Sequence, residues 1–345
     1  MIRIAVDAMG GDLAPQMEVQ GSVQAVQEYP VGVFLVGAKD RIQQDLRKYR
    51  TGNLPIEIVH ASESIAMDEP VSSAIRKKKD SSMRVAAQLV KEGKADGVVS
   101  AGNTGACMAI AKLVLGSLAN VDRPALAAIL PTAKLRPALL IDAGANVDCK
   151  PQHLAQFAIM GEIFSRLVFK NDRPKVGLLS IGEEESKGNE LTKEAFRLLK
   201  TAPFNFVGNV EGRDVFKGEV DVIVCDGFIG NVSLKTGEGL TEMISILLKK
   251  DLSSDPISQI GGLLTRRAFR NFKARVDYAE TGGAPLLGIR GVAIICHGRS
   301  TAKAIKNAIR IAHMLCLNKL NEKIEKEIKA LGNLQPGHCQ SLMIN

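Results

Sequence analysis

The sequence has no tryptophan and only 3 tyrosines in 345 residues, and its 11 phenylalanines are scattered. Single-stranded nucleic acid needs aromatic faces to stack on, so this scarcity counts against that class of partner. The 6 cysteines, at 107, 149, 225, 296, 316 and 339, include no Cys-x-x-Cys pair, so the zinc-ribbon pattern is missing. Cys225 and Cys296 lie in apolar runs and read as buried free thiols, which suits a reducing cytoplasm better than a disulfide framework. No run reaches the roughly 18 apolar residues of a membrane span. The best candidate, Ala106 to Leu118, is interrupted by Lys112. Met1 to Asp7 is too short an apolar run for a secretory leader and ends in a carboxylate, so it reads as a strand. Also missing are the P-loop string, the dinucleotide fingerprint Gly-x-Gly-x-x-Gly, the nucleophile elbow Gly-x-Ser-x-Gly and any His/Cys/Asp spacing of metal-ligand type. Composition alone does not exclude a metal, and a dinucleotide-binding reading lacks its main support.

What is present describes a globular protein. Hydrophobic residues make up 46% of the chain, which excludes disorder, and the 24% charged residues are interspersed, which excludes a fibre. The length allows two domains or one large α/β unit. Lys and Arg outnumber Asp and Glu 45 to 37, a net charge of +8. That excess could serve nucleic acid, an anionic membrane surface or an acidic partner.

Short β-branched runs recur at Ile2–Val6, Val31–Val36, Ile56–His60, Gly97–Ser100, Leu126–Leu130, Ala138–Ile141, Val176–Ile181, Phe204–Val207, Val220–Cys225 and Val292–Cys296. Helical patterns separate most of them. Such alternation predicts an α/β fold, a mostly parallel sheet covered by helices. A single long basic helix is expected from Ser300 to Leu331, stopped by Gly332, with residues 332–345 as a loose tail.

Six strands end in a polar residue and a turn rich in glycine or small residues: Asp7 to Asp12, Ser100 to Gly105, Asp142 to Asn146, Ser180 to Glu184, Asp226 to Asn231 and His297 to Ser300. Each alone is explained by the backbone needs of a tight turn. In a parallel sheet all would gather at one edge, where open α/β sheets bind ligands. Asn103 and Thr104 fall at the N-cap of an apolar helix, whose free N–H groups attract an anion such as phosphate. Lys187 follows a run of glutamates that equally suits a helix start, and it reads either as an anion ligand or as a solvated lysine. Arg76 to Lys79 precede Ser81 and Ser82; the run is either a solvated face or a contact for phosphate or phosphopantetheine. His297 is the one histidine in a strand-end turn, where capping or packing is the competing reading.

Residues 240–274 differ in kind. Leu240, Met243, Ile244, Leu247 and Leu248 recur at helical spacing, and Ser253 to Pro256 breaks the helix. A second helix then interleaves Leu263, Leu264, Phe269 and Phe272 with Arg266, Arg267, Arg270 and Lys273. Core packing would explain the stripe. A projecting amphipathic hairpin on an anionic bilayer or an acidic protein would also explain it, with Ile257, Ile260, Leu263 and Leu264 at the tip and Arg266, Arg267 and Arg270 behind.

The strings Asp7-Ala-Met-Gly-Gly-Asp12, Ser100-Ala-Gly-Asn-Thr-Gly-Ala106, Asp142-Ala-Gly-Ala-Asn146, Lys150-Pro151, Gln156-Phe-Ala158, Gly177-Leu-Leu-Ser-Ile-Gly-Glu-Glu184, Cys225-Asp-Gly-Phe-Ile-Gly-Asn-Val232, Gly282-Gly-Ala-Pro-Leu-Leu-Gly288 and His297-Gly298 together resemble the bacterial phosphate acyltransferase family of phospholipid synthesis (acyl-ACP:phosphate acyltransferase, PlsX type). The resemblance spans about residues 1 to 331. It implies an isocitrate/isopropylmalate dehydrogenase-like, phosphotransacetylase-like fold in one unit, 1–331, of two interlocked lobes. It implies transfer of a fatty acyl group from acyl carrier protein to inorganic phosphate, giving acyl phosphate for a membrane glycerol-phosphate acyltransferase. It further implies a cytoplasmic homodimer held peripherally at the membrane, with no cofactor and no metal, and with the scarcity of aromatics it leaves no nucleic acid among the expected partners. On that reading phosphate is the nucleophile, which accounts for the missing serine and cysteine motifs. Asn103, Thr104 and Gly105 would cradle phosphate, with Ser81 and Ser82 as further candidates. Lys187, Asn231 and His297 would complete the cradle or face the thioester, and Asp7, Asp142 and Asp226 would orient donors or accept a proton. A short-chain acyl-CoA phosphotransacetylase, a metal-dependent dehydrogenase of the same fold and a non-enzymatic membrane scaffold are the rival expectations.

Overall fold

A computed structural model describes residues 1–276 and 282–332; the expected tail, from 333 on, lies outside the described residues. The chain runs β1 (Ile2–Asp7), α1 (Gln16–Glu28), β2 (Val31–Gly37), α2 (Lys39–Leu46), β3 (Ile56–His60), α3 (Val71–Lys77), α4 (Ser82–Lys91), β4 (Gly97–Ser100), α5 (Thr104–Leu115) and β5 (Ala125–Leu130). It continues with β6 (Ala138–Ile141), α6 (Pro151–Val168), β7 (Val176–Leu179), α7 (Glu190–Lys200), β8 (Phe206–Val210), β9 (Val222–Val224), α8 (Gly227–Asp251), α9 (Pro256–Val276), β10 (Ala284–Leu287), β11 (Val292–Ile295), α10 (Ala302–Leu317) and α11 (Leu320–Gly332).

The strands form one 11-stranded sheet in the order β3-β2-β1-β4-β11-β10-β5-β6-β9-β7-β8. Side chains alternate between its two faces, and helices cover both. Ile4, Val6, Val33, Leu35, Leu139 and Ile141 feed one core, while Ala5, Phe34, Val36 and Leu140 feed the other. This double burial is why the strands read as continuous apolar runs.

The sheet is mostly parallel but reverses in the middle. β10 pairs antiparallel with β11 and with β5, and β5 pairs antiparallel with β6. The strands β6, β9, β7 and β8 therefore point opposite to β1, β2, β3, β4 and β11. This corrects the expectation that all six strand-end turns share one edge. The turns after β1, β4 and β11 form one group. Those after β6, β7 and β9 are carried by the oppositely directed set, and of these the turns after β6 and β9 join where the Gly227 N–H donates to the Asn146 carbonyl.

Three local expectations also change. β10 was absent from the sequence reading because it is a 4-residue strand with Pro285 inside it, and proline cannot donate to a ladder. β8 lies further along than Phe204–Val207, because pairing with β7 shifts register and continues through Gly208 at φ +98°. The expected single helix Ser300–Leu331 is two helices, broken where Lys319 takes φ +53°. Ala312, Cys316, Leu320, Ile324 and Ile328 keep an unbroken four-residue spacing, so the apolar pattern hides the break.

The reversal between β5 and β6 is held by Asp142. Its buried carboxylate accepts from the backbone N–H of Leu126 (3.0 Å), Gly144 (3.1 Å), Ala145 (2.9 Å) and Asn146 (2.7 Å), and from Nδ2 of Asn146 (2.8 Å). Burial pushes its carboxyl above the usual range, and these hydrogen bonds pull back against it. Truncation in Asp142→Ala strands these donors inside the protein. The expected loss of stability is about 3 kcal/mol or more, read from the midpoint of urea unfolding.

Candidate functional site

The two groups of turns meet at a cavity of about 330 Å³. Thr104 reaches it from the start of α5, Gly144 from the turn after β6, Asn231 and Lys235 from the first turns of α8, and His297 from the turn after β11. Leu126, Ala128 and Ala284, on the antiparallel strands β5 and β10, supply apolar wall.

Each contributor is fixed by local chemistry. Asn103 is the N-cap of α5: its Oδ1 accepts from the Ala106 N–H at 3.0 Å. Its Nδ2 donates to the carbonyl oxygens of Met67 (2.8 Å) and Glu69 (3.3 Å). The Asn103 side chain is thus spent on capping and tethering. Thr104 is exposed and lines the cavity at the end of α5 where the backbone N–H groups lack intrahelical partners. On the opposite wall, Asp226 caps α8 by accepting from Ile229 N–H at 2.9 Å. The helix start lies against the Asp142 turn so closely that a Cβ on Gly230 would sit 1.8 Å from the Asp142 carbonyl oxygen. Only glycine permits that approach. It sets Asn231 beside Gly144, within 3.5 Å of where a Cβ there would stand.

His297 accepts the Arg299 backbone N–H at Nδ1, 3.1 Å, so the neutral ring carries its proton on Nε2. Lys235 pairs with Glu238 at 2.7 Å, one turn along the same helix. Both line the cavity. Sequence reasoning gave neither Lys235 nor Glu238 a role. The signal was the spacing Asn231, Lys235, Glu238, one face of a helix. Cys296 also lines the cavity, but burial pushes its thiol far up and keeps it protonated.

Other expected residues lie elsewhere. Asp7 is buried, accepts from the Ser100 hydroxyl (2.7 Å) and from Met9 N–H (3.2 Å), and holds the first two turns together. Ser81 donates to the Lys78 carbonyl at 3.2 Å, and Ser82 bonds Asp7. Both serines are buried and are not among the residues lining the cavity. Asp142 is consumed by backbone N–H groups. Lys187, exposed in the loop before α7, does not line the cavity either. Within the Arg76–Lys79 run, Lys78 pairs with Glu69 at 2.6 Å, tying down the same loop that holds Asn103. Among the described residues, no group of three or more His, Cys, Asp or Glu side chains is placed to hold a metal ion.

Glu18 lies behind the first turn, 1% exposed, and its Oε2 has no hydrogen-bond partner among the described residues. Burial, reinforced by the charges of Asp7 and Asp12, raises its carboxyl from 4.5 to about 7.

The sequence profile of the family described as "Fatty acid synthesis protein" matches residues 2–323. The chain is 55% identical over 327 residues to the phosphate acyltransferase of Citrifermentans bemidjiense, covering 95% of this chain and 93% of that one. It is 56% identical over 346 residues to the phosphate acyltransferase of Koribacter versatilis, covering 99% and 96%. Among solved structures, a phosphotransacetylase from Streptococcus pyogenes superposes with TM-score 0.65 at 17% identity, over 92% of this chain and 94% of that one. A phosphotransacetylase from Staphylococcus aureus gives 0.61 at 19%, over 91% and 94%. At these identities the structural likeness establishes the fold.

The raised carboxyl of Glu18 has a defined effect on stability. Because its folded pKa exceeds its unfolded one, the native state holds a proton that the unfolded chain releases. Stability is therefore lost as pH rises from about 4.5 to about 7. Glu18→Gln removes this contribution, worth about 3 kcal/mol. Urea unfolding at pH 5 and pH 8 should show a smaller difference for the variant than for the parent.

Proposed function

The chain belongs to the fatty acid synthesis protein family, that of the bacterial phosphate acyltransferases, and from that premise we propose that it transfers a fatty acyl group from acyl carrier protein to inorganic phosphate. The observation that carries the reading is the cavity itself. A helix start, an amide, a lysine and an imidazole converge on it, and its one thiol is held protonated. Such a site suits a bound anion as nucleophile better than an acylated side chain.

The chemistry balances without a further reactant. A phosphate oxygen attacks the thioester carbonyl carbon, the C–O bond forms, and the C–S bond breaks. The phosphate proton passes to the departing sulfur, giving acyl phosphate and the free thiol of the carrier. The N–H groups at the start of α5, the Thr104 hydroxyl and the Lys235 ammonium hold the phosphate and offset its charge. Asn231 and the Nε2–H of His297 are donors for the oxyanion that develops on the carbonyl. Glu238 keeps the Lys235 ammonium in place.

The surroundings support a lipid role. Gly227 and Gly230 are the only buried residues of α8, and its turns after Ser245 are exposed. Val232, Leu240, Met243 and Leu247 are exposed along it and form a face for a second copy in a homodimer. At the far end, Ile257, Ile260, Leu263 and Leu264 are 82%, 63%, 69% and 81% exposed. These residues would enter a bilayer surface, with Arg266, Arg267 and Arg270 behind them meeting anionic lipid or the acidic carrier protein. Among the described residues no helix is long and apolar enough to cross a membrane. The protein would then work in the cytoplasm at the membrane surface, handing acyl phosphate to a membrane glycerol-phosphate acyltransferase.

Trapping with hydroxylamine tests the reaction: acyl carrier protein bearing hexadecanoate, plus phosphate, should yield the hydroxamate, and no product with phosphate present would refute it. Thr104→Val and Lys235→Met should each raise the phosphate KM or lower kcat by about tenfold or more, as loss of a charge-assisted hydrogen bond implies. Unchanged kinetics would remove these two residues from the cradle. A variant with Ile260→Glu and Leu263→Glu should lose flotation with vesicles containing anionic lipid, and undiminished flotation would refute the membrane contact.

A further inference from the structure

The cavity described above opens into a second, larger one that the transfer reaction leaves unassigned. It encloses about 540 Å³ and shares Leu234, Glu238 and His297 with the first. Its volume is in the range of pockets that enclose organic ligands, roughly 300–1,000 Å³. One wall is the face of α8 carrying Gly237, Thr241 and Ser245. The other comprises Leu130, Pro131 and Phe216, and Phe269 of α9 lies towards the hairpin.

We infer that this groove holds the acyl chain of the donor thioester, so that its shape sets chain-length preference; the inference rests on the acyl-transfer reading. Its connection to the reaction site is the first reason. A chain whose carbonyl carbon sits near His297 and Asn231 has a lined path leading away, past Leu234 and along α8. The chemistry of the wall is the second. Thr241 and Ser245 look polar in sequence, but their hydroxyls donate to the carbonyl oxygens of Gly237 (2.9 Å) and Thr241 (2.8 Å) within the helix. Glu238 is tied to Lys235 at the mouth. Glu242, Lys249 and Arg299 add charge to the lining, but Leu130, Pro131, Phe216, Leu234, Ile246 and Phe269 make most of it carbon. Fit is the third reason: a Cβ on Gly237 would stand 2.6 Å from Cζ of Phe216, so the missing side chain lets the ring close directly against the helix as the floor. The groove ends by Ser245, Ile246 and Lys249, towards the hairpin whose tip is apolar. A long chain would thus lie between the reacting carbon and the lipid-facing end of the molecule.

The test compares hexadecanoyl and butanoyl thioesters of acyl carrier protein. Thr241→Phe places a ring across the path without touching the reaction site. It should lower kcat/KM for the hexadecanoyl donor by about tenfold or more, the loss expected when several methylenes are denied burial. The butanoyl donor should change less than about twofold. Phe216→Ala opens the floor at a side chain already 38% exposed, and it should shift preference towards donors longer than hexadecanoyl. Equal losses for both donors in Thr241→Phe, together with an unchanged chain-length ratio in Phe216→Ala, would overturn the groove. Failure of the unsubstituted protein to form acyl phosphate from either donor would instead refute the reaction on which the inference depends.

Discussion

A single buried carboxylate organises the middle of this molecule. Asp142 ends β6 and spends both oxygens on the backbone of the turn that follows and of the neighbouring strand β5. A carboxylate out of water is expensive unless its lone pairs are filled, and here they are filled by groups that would otherwise be orphaned themselves. The arrangement fixes the angle at which the chain leaves β6, and α8 seats its first turn on the surface so formed. Removing the charge would therefore loosen a strand pair, a turn and a helix start together.

From that seat follows the chemistry. Because β5 and β6 run antiparallel, the parallel sets on either side deliver their loops from opposite directions, and the cavity lies where they face each other. One set offers a helix start and an imidazole. The other offers an amide and a lysine on α8. A single parallel sheet would have lined these groups along one rim; the reversal places them across a gap, which suits a reaction joining two substrates.

Much of the architecture was legible from residues alone, since doubly covered strands must be apolar on consecutive positions, and the runs at Ile56–His60, Gly97–Ser100 and Ala138–Ile141 coincide with strands as found. The hidden parts have physical causes. Strand direction is a long-range property that no local pattern encodes, so the central reversal could not be read. Pro285 disguised β10, and an uninterrupted apolar stripe disguised the turn at Lys319. At the site, glycine-rich turns correctly marked the ends of strands. They could not separate side chains that line the cavity, such as Thr104 and Asn231, from those that pin turns together, such as Asp7 and Asn103. That distinction depends on which partner reaches each oxygen first. Lys235 was visible only as one helical turn beyond Asn231, a relation that becomes informative once the helix start is known to border a cavity.

The length of α8 has a mechanical consequence. Its 25 residues span about 37 Å, with one end clamped by Gly227 and Gly230 against the Asp142 turn and the other carrying the connection to α9. Between those ends Gly237 lets Phe216 close against the helix, so the half nearest the cavity rests on the sheet and the outer turns extend past it. Asn231 lies about 2 Å along the axis from Gly230 and Asp251 about 31 Å from it, so the inner turns alone set the spacing of the groups that line the cavity, and substitutions in the outer turns leave that spacing unchanged.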